Sequence, residues 1–336
     1  MLKSLKAATA DNIKGRGRCI DVQAHIVIGH KNVLKLGFKG IKEQAEKRLK
    51  TAKKESEKEF LKGVIITCNA MKDFSNRFSV LAKNMADETV DSERKSELLR
   101  ISEVTRKVPW NPPESFYEAF QSIWFTQNAI ILSYGAGSLL ALGRMDQLLY
   151  PYYKKDMRDK TLTNDEALRL IEEFLIKINT NVIIWPNKSA VKLNHLGSDV
   201  ENITLGGLGP DGEDATNAIT FLFIEAVKNT KLATNASFRF SKDSPEDYIR
   251  RVLEIHKDTN SPALFNDEFI IKSMERDGYT PEAARDYCLV GCVEQSGNGD
   301  TYGATGGSKL SFPTIIDLVL NRGKTTFYGN QETTDT

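Results

Sequence analysis

The chemistry-bearing residues of this chain fall in the segment Asp286-Tyr-Cys-Leu-Val-Gly-Cys-Val-Glu-Gln295. Cys292 and Glu294 stand two apart at the end of a short apolar run, Tyr287 to Val290, that reads as a strand closing at Gly291. Side chains alternate along extended chain, so this spacing puts a thiol and a carboxylate on one face, roughly 7 Å apart. A glycine-rich, nearly uncharged stretch follows, from Ser296 to Gly307. A sulfur and a base side by side at a strand end suit hydrogen-atom or proton transfer on a small enclosed substrate. Cys288 shares the face by the same count, but reads as a packing residue.

Elements able to position such a pair alternate through the second half of the chain. Ile203–Leu205, Ala236–Phe240 and Ala263–Phe265 read as strands. Helices are expected at 215–228, 245–256, 268–277 and 281–286. Repeated βα units predict a parallel sheet or barrel with helices outside, and chemistry at the carboxyl ends of its strands. Cys292 is expected at such an end. The first half reads as helical. A dense Lys/Glu stretch at 41–62 carries apolar residues at helical spacing, and a second helix is expected at 64–86, then a third at 92–106. Ser115 caps an apolar helix, 116–132, that should be interior. It opens into Ser133-Tyr-Gly-Ala-Gly-Ser138, where Ser133 is a candidate pocket-lining residue. Thr163 caps a helix at 166–180. Lys14–Arg18 reads as a solvated loop.

Composition narrows the function classes. The chain has 336 residues, 40% apolar and 27% charged, with 46 Lys and Arg against 45 Asp and Glu. That balance advertises neither a nucleic-acid nor a membrane surface. Four scattered cysteines, Cys19, Cys68, Cys288 and Cys292, form no CxxC pair. A zinc site and a disulfide framework are therefore not expected, and a reducing cytoplasm is. No apolar run reaches membrane-spanning length. The polar end, Tyr328–Thr336, reads as a chain cut within its fold, and exposed apolar barrel edges are expected.

Gly207-Leu-Gly-Pro-Asp-Gly212 matches GxGxxG between a strand and a helix. It makes a nucleotide-dependent oxidoreductase the first rival. Pro210 removes an amide from a phosphate cradle, and Asp211, Glu213 and Asp214 would repel a pyrophosphate. Arg239 and Ser241 end the second strand, with no acid for ribose hydroxyls. A polar turn is the better reading.

At Gly291-Cys-Val-Glu294 the chain resembles the glycyl radical enzymes, the pyruvate formate-lyase superfamily. The likeness extends to Val108–Phe125, to Gly143-Arg-Met-Asp-Gln147 with Tyr150-Pro-Tyr-Tyr153, to Asn202–Gly207, to Pro262–Glu268 and to Glu282–Tyr287. The family fold this implies is a ten-stranded α/β barrel of two antiparallel sets of five parallel strands, with the cysteine on an inner finger loop. Residues 1–336 would be a single partial domain, roughly half such a barrel: 1–200 mainly helical and packed outside, 201–336 the strands and cysteine loop. The family's RVxGY-like glycine motif has no match here, and Arg322-Gly323 does not supply one.

The resemblance also implies a chemistry. Cys292 would become a thiyl radical and take a hydrogen atom from a substrate carbon. Glu294 would deprotonate the adjacent hydroxyl, and the ketyl would expel its β-substituent. Val290-Gly291 stand where pyruvate formate-lyase has a cysteine before its radical cysteine, so Cys-x-Glu points to the dehydratase and C–X lyase branch or the arylacetate decarboxylases. The implied cofactor is a glycyl radical whose glycine is absent from this chain, so none is expected bound in it. The implied partners are a radical SAM iron–sulfur activase, a small-molecule substrate and, at full length, a second copy as homodimer. Departures at Gln295–Asp300 and in Asn194–Asp199 suggest a roomier, more polar pocket, with His195 as a candidate substrate contact. The competing expectation is a catalytically silent fragment.

Overall fold

The computed structural model describes residues 18–19, 26–134, 140–179, 201–231, 235–259, 262–291, 294–301, 308–309 and 312–322. The chain divides into two compact units. The first comprises Met1–Ala24 and Ala304–Thr336. In it β1 (Arg18–Cys19) pairs antiparallel with β8 (Ser308–Lys309), and α11 (Phe312–Leu320) exposes Ile316, Val319 and Leu320.

The second unit, His25–Gly303, carries the rest. Its first four helices are α1 (His30–Leu49), α2 (Glu55–Glu88), α3 (Ser92–Lys107) and α4 (Phe116–Tyr134). The expected break near residue 63 does not exist. Gly63 lies inside α2 with nothing within 4 Å of the position its Cβ would take, so its flexibility is tolerated on an open face. The turn comes instead at 50–54, within a lysine-rich run. Both expected caps form. Ser115 Oγ accepts the Glu118 amide at 3.2 Å, and Thr163 and Glu166 cap each other reciprocally.

A four-stranded parallel sheet follows, ordered β2 (Gly143–Arg144), β3 (Asn202–Gly206), β4 (Asn235–Phe240), β5 (Ala263–Asn266). Between the strands run α5 (Met145–Arg158), α6 (Asn164–Asn179), α7 (Ala218–Thr230) and α8 (Glu246–Thr259). Thr204 stands beside Ser237, and Phe238 beside Leu264, in register. Strand parity sorts the residues. Ile203, Leu205, Ala236 and Phe238 face the helices and join the main core with Phe116, Phe120, Phe174, Phe223 and Tyr248. Burying one such side chain contributes about 1.5–3 kcal/mol. Asn202, Thr204, Ser237 and Arg239, of opposite parity, are buried on the other face. The sheet is thus apolar outside and polar inside. At its β5 edge Leu264 and, just beyond, Phe269 are exposed.

Candidate functional site

After β5 come α9 (Asp267–Arg276) and α10 (Pro281–Arg285), then a hairpin of β6 (Cys288–Val290) and β7 (Glu294–Ser296). Val290 pairs with Glu294, Leu289 with Gln295, and Cys288 with Ser296. The strand therefore does not run on through Glu294 as one extended segment. The chain turns back within the three residues 291–293, and Gly291 takes a left-handed φ of 54° to start the turn. The same-face spacing of Cys292 and Glu294 consequently cannot rest on strand alternation. A tight reversal instead brings Glu294 against Val290.

The direction of β6 is the second correction. Arg285 and Tyr287 lie beside Arg144 and Arg239, near the carboxyl ends of β2 and β4. The Leu289 amide reaches Thr204, and the Gly291 carbonyl lies 3.5 Å from Asn202 Nδ2. Asn202 is the first residue of β3, so β6 runs back along the inner face toward the amino end of the sheet. The segment leading to Cys292 enters from the carboxyl end but delivers its tip at the opposite one. The rule placing chemistry at carboxyl ends describes loops that follow the parallel strands, not a hairpin inserted among them.

The hairpin is rooted in buried charge. Arg239 Nε and Nη2 each bond a carboxylate oxygen of Asp267 at 2.9 Å, both side chains being fully buried. Tyr287 Oη donates to Asp267 Oδ1 at 2.8 Å, and the guanidinium stacks 3.8 Å from the Tyr287 ring centre. Burial alone would depress the Arg239 guanidinium, but Asp267 and Tyr287 more than offset it and hold it above its ordinary value. Arg144 Nη2 donates to the Gly206 carbonyl at 2.9 Å and Nη1 to Asp286 at 3.1 Å. Burial, then the like charge of Arg239, lowers the Arg144 guanidinium. Asp146 accepts from the Gly206 amide and from Thr220 Oγ1, and burial pushes its carboxyl up.

These bonds account for the glycines of Gly207–Gly212. A Cβ on Gly207, whose φ is +77°, would lie 2.7 Å from both Arg239 and Asp267. The Leu208 amide donates to Asp267 and the Pro210 carbonyl accepts from Arg285 Nε. This loop accommodates a buried ion pair.

Saturation fails at the amino end. Asn202 Nδ2 donates to Ser237 Oγ at 3.0 Å, while its Oδ1 is buried without a partner among the described residues. The Asn202 carbonyl accepts from Leu142, and nearby Gln127 Nε2 donates to the Leu140 carbonyl. The Gln127 side chain lies against the fully enclosed His30 imidazole and favours its charged form, but burial outweighs it. Burial lowers the His30 pKa to about 4. Unsatisfied buried groups are rare, and they concentrate where function or a bound molecule completes them.

Glu294 is half-buried at the start of β7. Cys292 and His195 lie outside the described residues. Ser133 is exposed in the last turn of α4, its hydroxyl donating to the Ala129 carbonyl at 2.7 Å. Cys288 is buried with Val27, Ala141 and Val290, its thiol pushed up by burial, as a packing residue would be. Cys68 is also buried. Among the described residues no group of three His, Cys, Asp or Glu side chains is placed to hold a metal, and no helix is long and apolar enough to cross a membrane. The residues that organise the site, Arg144, Arg239, Asp267 and Tyr287, were not singled out for chemistry. The signal was available: arginine inside a strand pattern needs a buried partner.

Comparison with known proteins bears on all of this. The sequence model described as pyruvate formate lyase-like matches residues 6–336. The isethionate sulfite-lyase of Oleidesulfovibrio alaskensis is 34% identical over 312 residues, covering 90% of this chain and 38% of the relative. The chain thus spans under two-fifths of that curated protein. Hydroxyproline dehydratase from Clostridioides difficile, solved with trans-4-hydroxy-L-proline bound, matches with a TM-score of 0.86 at 28% identity, over 96% of this chain and 42% of that one. A glycyl radical enzyme from Archaeoglobus fulgidus matches with a TM-score of 0.81 at 29% identity, over 90% and 40% respectively. The mixed helical and parallel-sheet fold is therefore that of about two-fifths of a glycyl radical enzyme barrel.

Proposed function

Because the chain belongs to the pyruvate formate lyase-like family, we propose that it carries the thiol and base of a glycyl radical lyase that breaks a C–X bond beside a hydroxylated carbon. The observation that carries the reading is the hairpin. Cys292 lies in the connection between two strands inserted against a polar inner face, and Glu294 begins the returning strand.

A glycyl radical, installed by a radical SAM activase, would supply the radical chemistry, with the Cys292 thiol giving up its S–H hydrogen atom to it and becoming the thiyl. Everything else falls to residues of this chain. The sulfur takes a hydrogen atom from the hydroxyl-bearing carbon, forming S–H and leaving one electron on carbon. The Glu294 carboxylate takes the hydroxyl proton, and the resulting ketyl expels its β-substituent with the bonding pair. The thiol then returns its hydrogen atom to the product radical. A carboxylate in a site closed to water gains basicity, which suits this role. The Asn202 oxygen, unpartnered among the described residues, suits a polar substrate. Sulfonated or hydroxylated small molecules of the kind named for the relatives are the substrates to try first.

The test is anaerobic activation of this chain together with a glycine-bearing remainder of the barrel and a radical SAM activase. A glycyl doublet by EPR with turnover supports the reading. Cys292→Ser is expected to abolish turnover while the doublet persists, and Glu294→Gln to slow it by about 10²- to 10⁴-fold. Absence of any doublet in every pairing leaves the alternative, a catalytically silent assembly half. Turnover only on an arylacetate would reassign it to decarboxylation.

A further inference from the structure

Strand β6 has two edges, and among the described residues one of them pairs with a strand. The β7 edge carries the hairpin register. Along the other edge, among the described residues, the sheet contributes side chains rather than backbone. The Arg285 carbonyl accepts from Arg239 Nη2 at 2.9 Å and the Tyr287 carbonyl from Arg239 Nη1 at 2.8 Å. The Leu289 amide donates to Thr204 Oγ1 at 2.9 Å. The Gly291 carbonyl then meets Asn202 Nδ2 at 3.5 Å. Tyr287, Leu289 and Gly291 are alternate residues, the parity that turns away from β7 in an extended strand, while Arg285 closes α10 just before it. Inward side chains of β3 and β4 thus stand in for a missing neighbouring strand.

The last two rungs precede Cys292 directly. Thr204 is fully buried and supplies the acceptor for the Leu289 amide. An amide left unpaired there would bear the full cost of desolvation, so this bond fixes how far β6 has slid along β3. A slip of one residue would turn every side chain of β6 to the wrong face. At the final rung the orientation of Asn202 is set by chemistry. The Gly291 carbonyl can only accept, so the amide nitrogen must face it. We propose that Thr204 and Asn202 are positioning residues for Cys292, holding its hairpin in register from the sheet side. This rests on the reading of Cys292 as the reacting thiol.

Alkylation of the intact chain by iodoacetamide, followed by peptide mapping, tests it without requiring turnover. Thr204→Val keeps the shape and removes the acceptor; it is expected to raise the Cys292 rate about tenfold. Thr204→Ser keeps the oxygen and is expected to restore the rate to within about twofold of the parent, while Asn202→Ala raises it about threefold, its bond being longer. Cys68, buried in α2, reports global opening and should label at the parent rate throughout. Unchanged Cys292 labelling in Thr204→Val and Asn202→Ala overturns the proposal. So does a rise in Cys68 labelling proportional to that of Cys292, which would mean simple loosening. Should Thr204→Val lose cooperative melting, Asn202→Ala decides on the same criteria. If Cys292→Ser retained turnover, the functional reading would fall, and the alkylation result would still judge the ladder.

Discussion

At the carboxyl end of the sheet one set of buried polar side chains is saturated, although Arg144 Nε beside it has no partner among the described residues. Arg239, Asp267 and Tyr287 form a closed set, and Asp267 also takes the Leu208 amide. At the amino end, Asn202 Oδ1 is buried without a partner among the described residues, and the enclosed His30 imidazole has only Gln127 beside it. The same hairpin spans both regions, rooted in one and ending beside the other. A saturated network fixes geometry and leaves nothing to offer a newcomer; an unsaturated one is costly until something completes it. The difference separates the part of the hairpin that holds from the part that works.

The comparison breaks most visibly at the root. Asp267→Ala leaves the Arg239 charge buried and alone, which is expected to cost about 3–5 kcal/mol in denaturant unfolding. A paired replacement, Arg239→Met with Asp267→Leu, should recover much of that loss; if the single and double variants are equally unstable, the root is not an ion-pair network in energetic terms. The amino end should instead show itself through acid. The unfolded chain protonates histidine near 6.5, whereas His30 resists until about 4. Over that window the unfolded state binds more protons, so stability falls as pH drops, by up to about 3 kcal/mol, and the loss is complete below pH 4. His30→Leu should flatten this part of the stability–pH curve, and an unchanged slope would show that other groups govern it. At the tip, Gly291→Ala imposes a side chain on a φ of 54° and should cost only about 1–2 kcal/mol, read from the unfolding midpoint. A cost equal to that at the root would erase the distinction between the two ends.

Much of the scaffold was legible in sequence because it is written in local patterns. The alternation of apolar runs located β3, β4, β5 and their helices, and Ser115 and Thr163 marked helix starts through their own hydrogen bonds. Cys292 and Glu294 stood out because few structural roles call for that pair beside a glycine loop. The direction of β6 was not legible. It is set by Thr204, Arg144 and Arg239, which lie 46 to 141 residues away from the backbone groups they bind. Gly291 offered a local hint, since a glycine closing an apolar run is more often a turn than a continuation. The break between α1 and α2 was missed because Leu49 and Ala52 keep a helical spacing into the turn. His195 lies outside the described residues, and Ser133 bonds to its own helix.

The two parities of β3 and β4 carry separate assignments. Even positions of β4 and odd positions of β3 satisfy the helices, and their opposites satisfy the hairpin and whatever lies beside it. Substitutions in the outward set accordingly act on the packing against the helices, and those in the inward set on the seating of the hairpin. Insertions and deletions allow no such separation: shifting either strand by one residue would exchange the two assignments at a stroke.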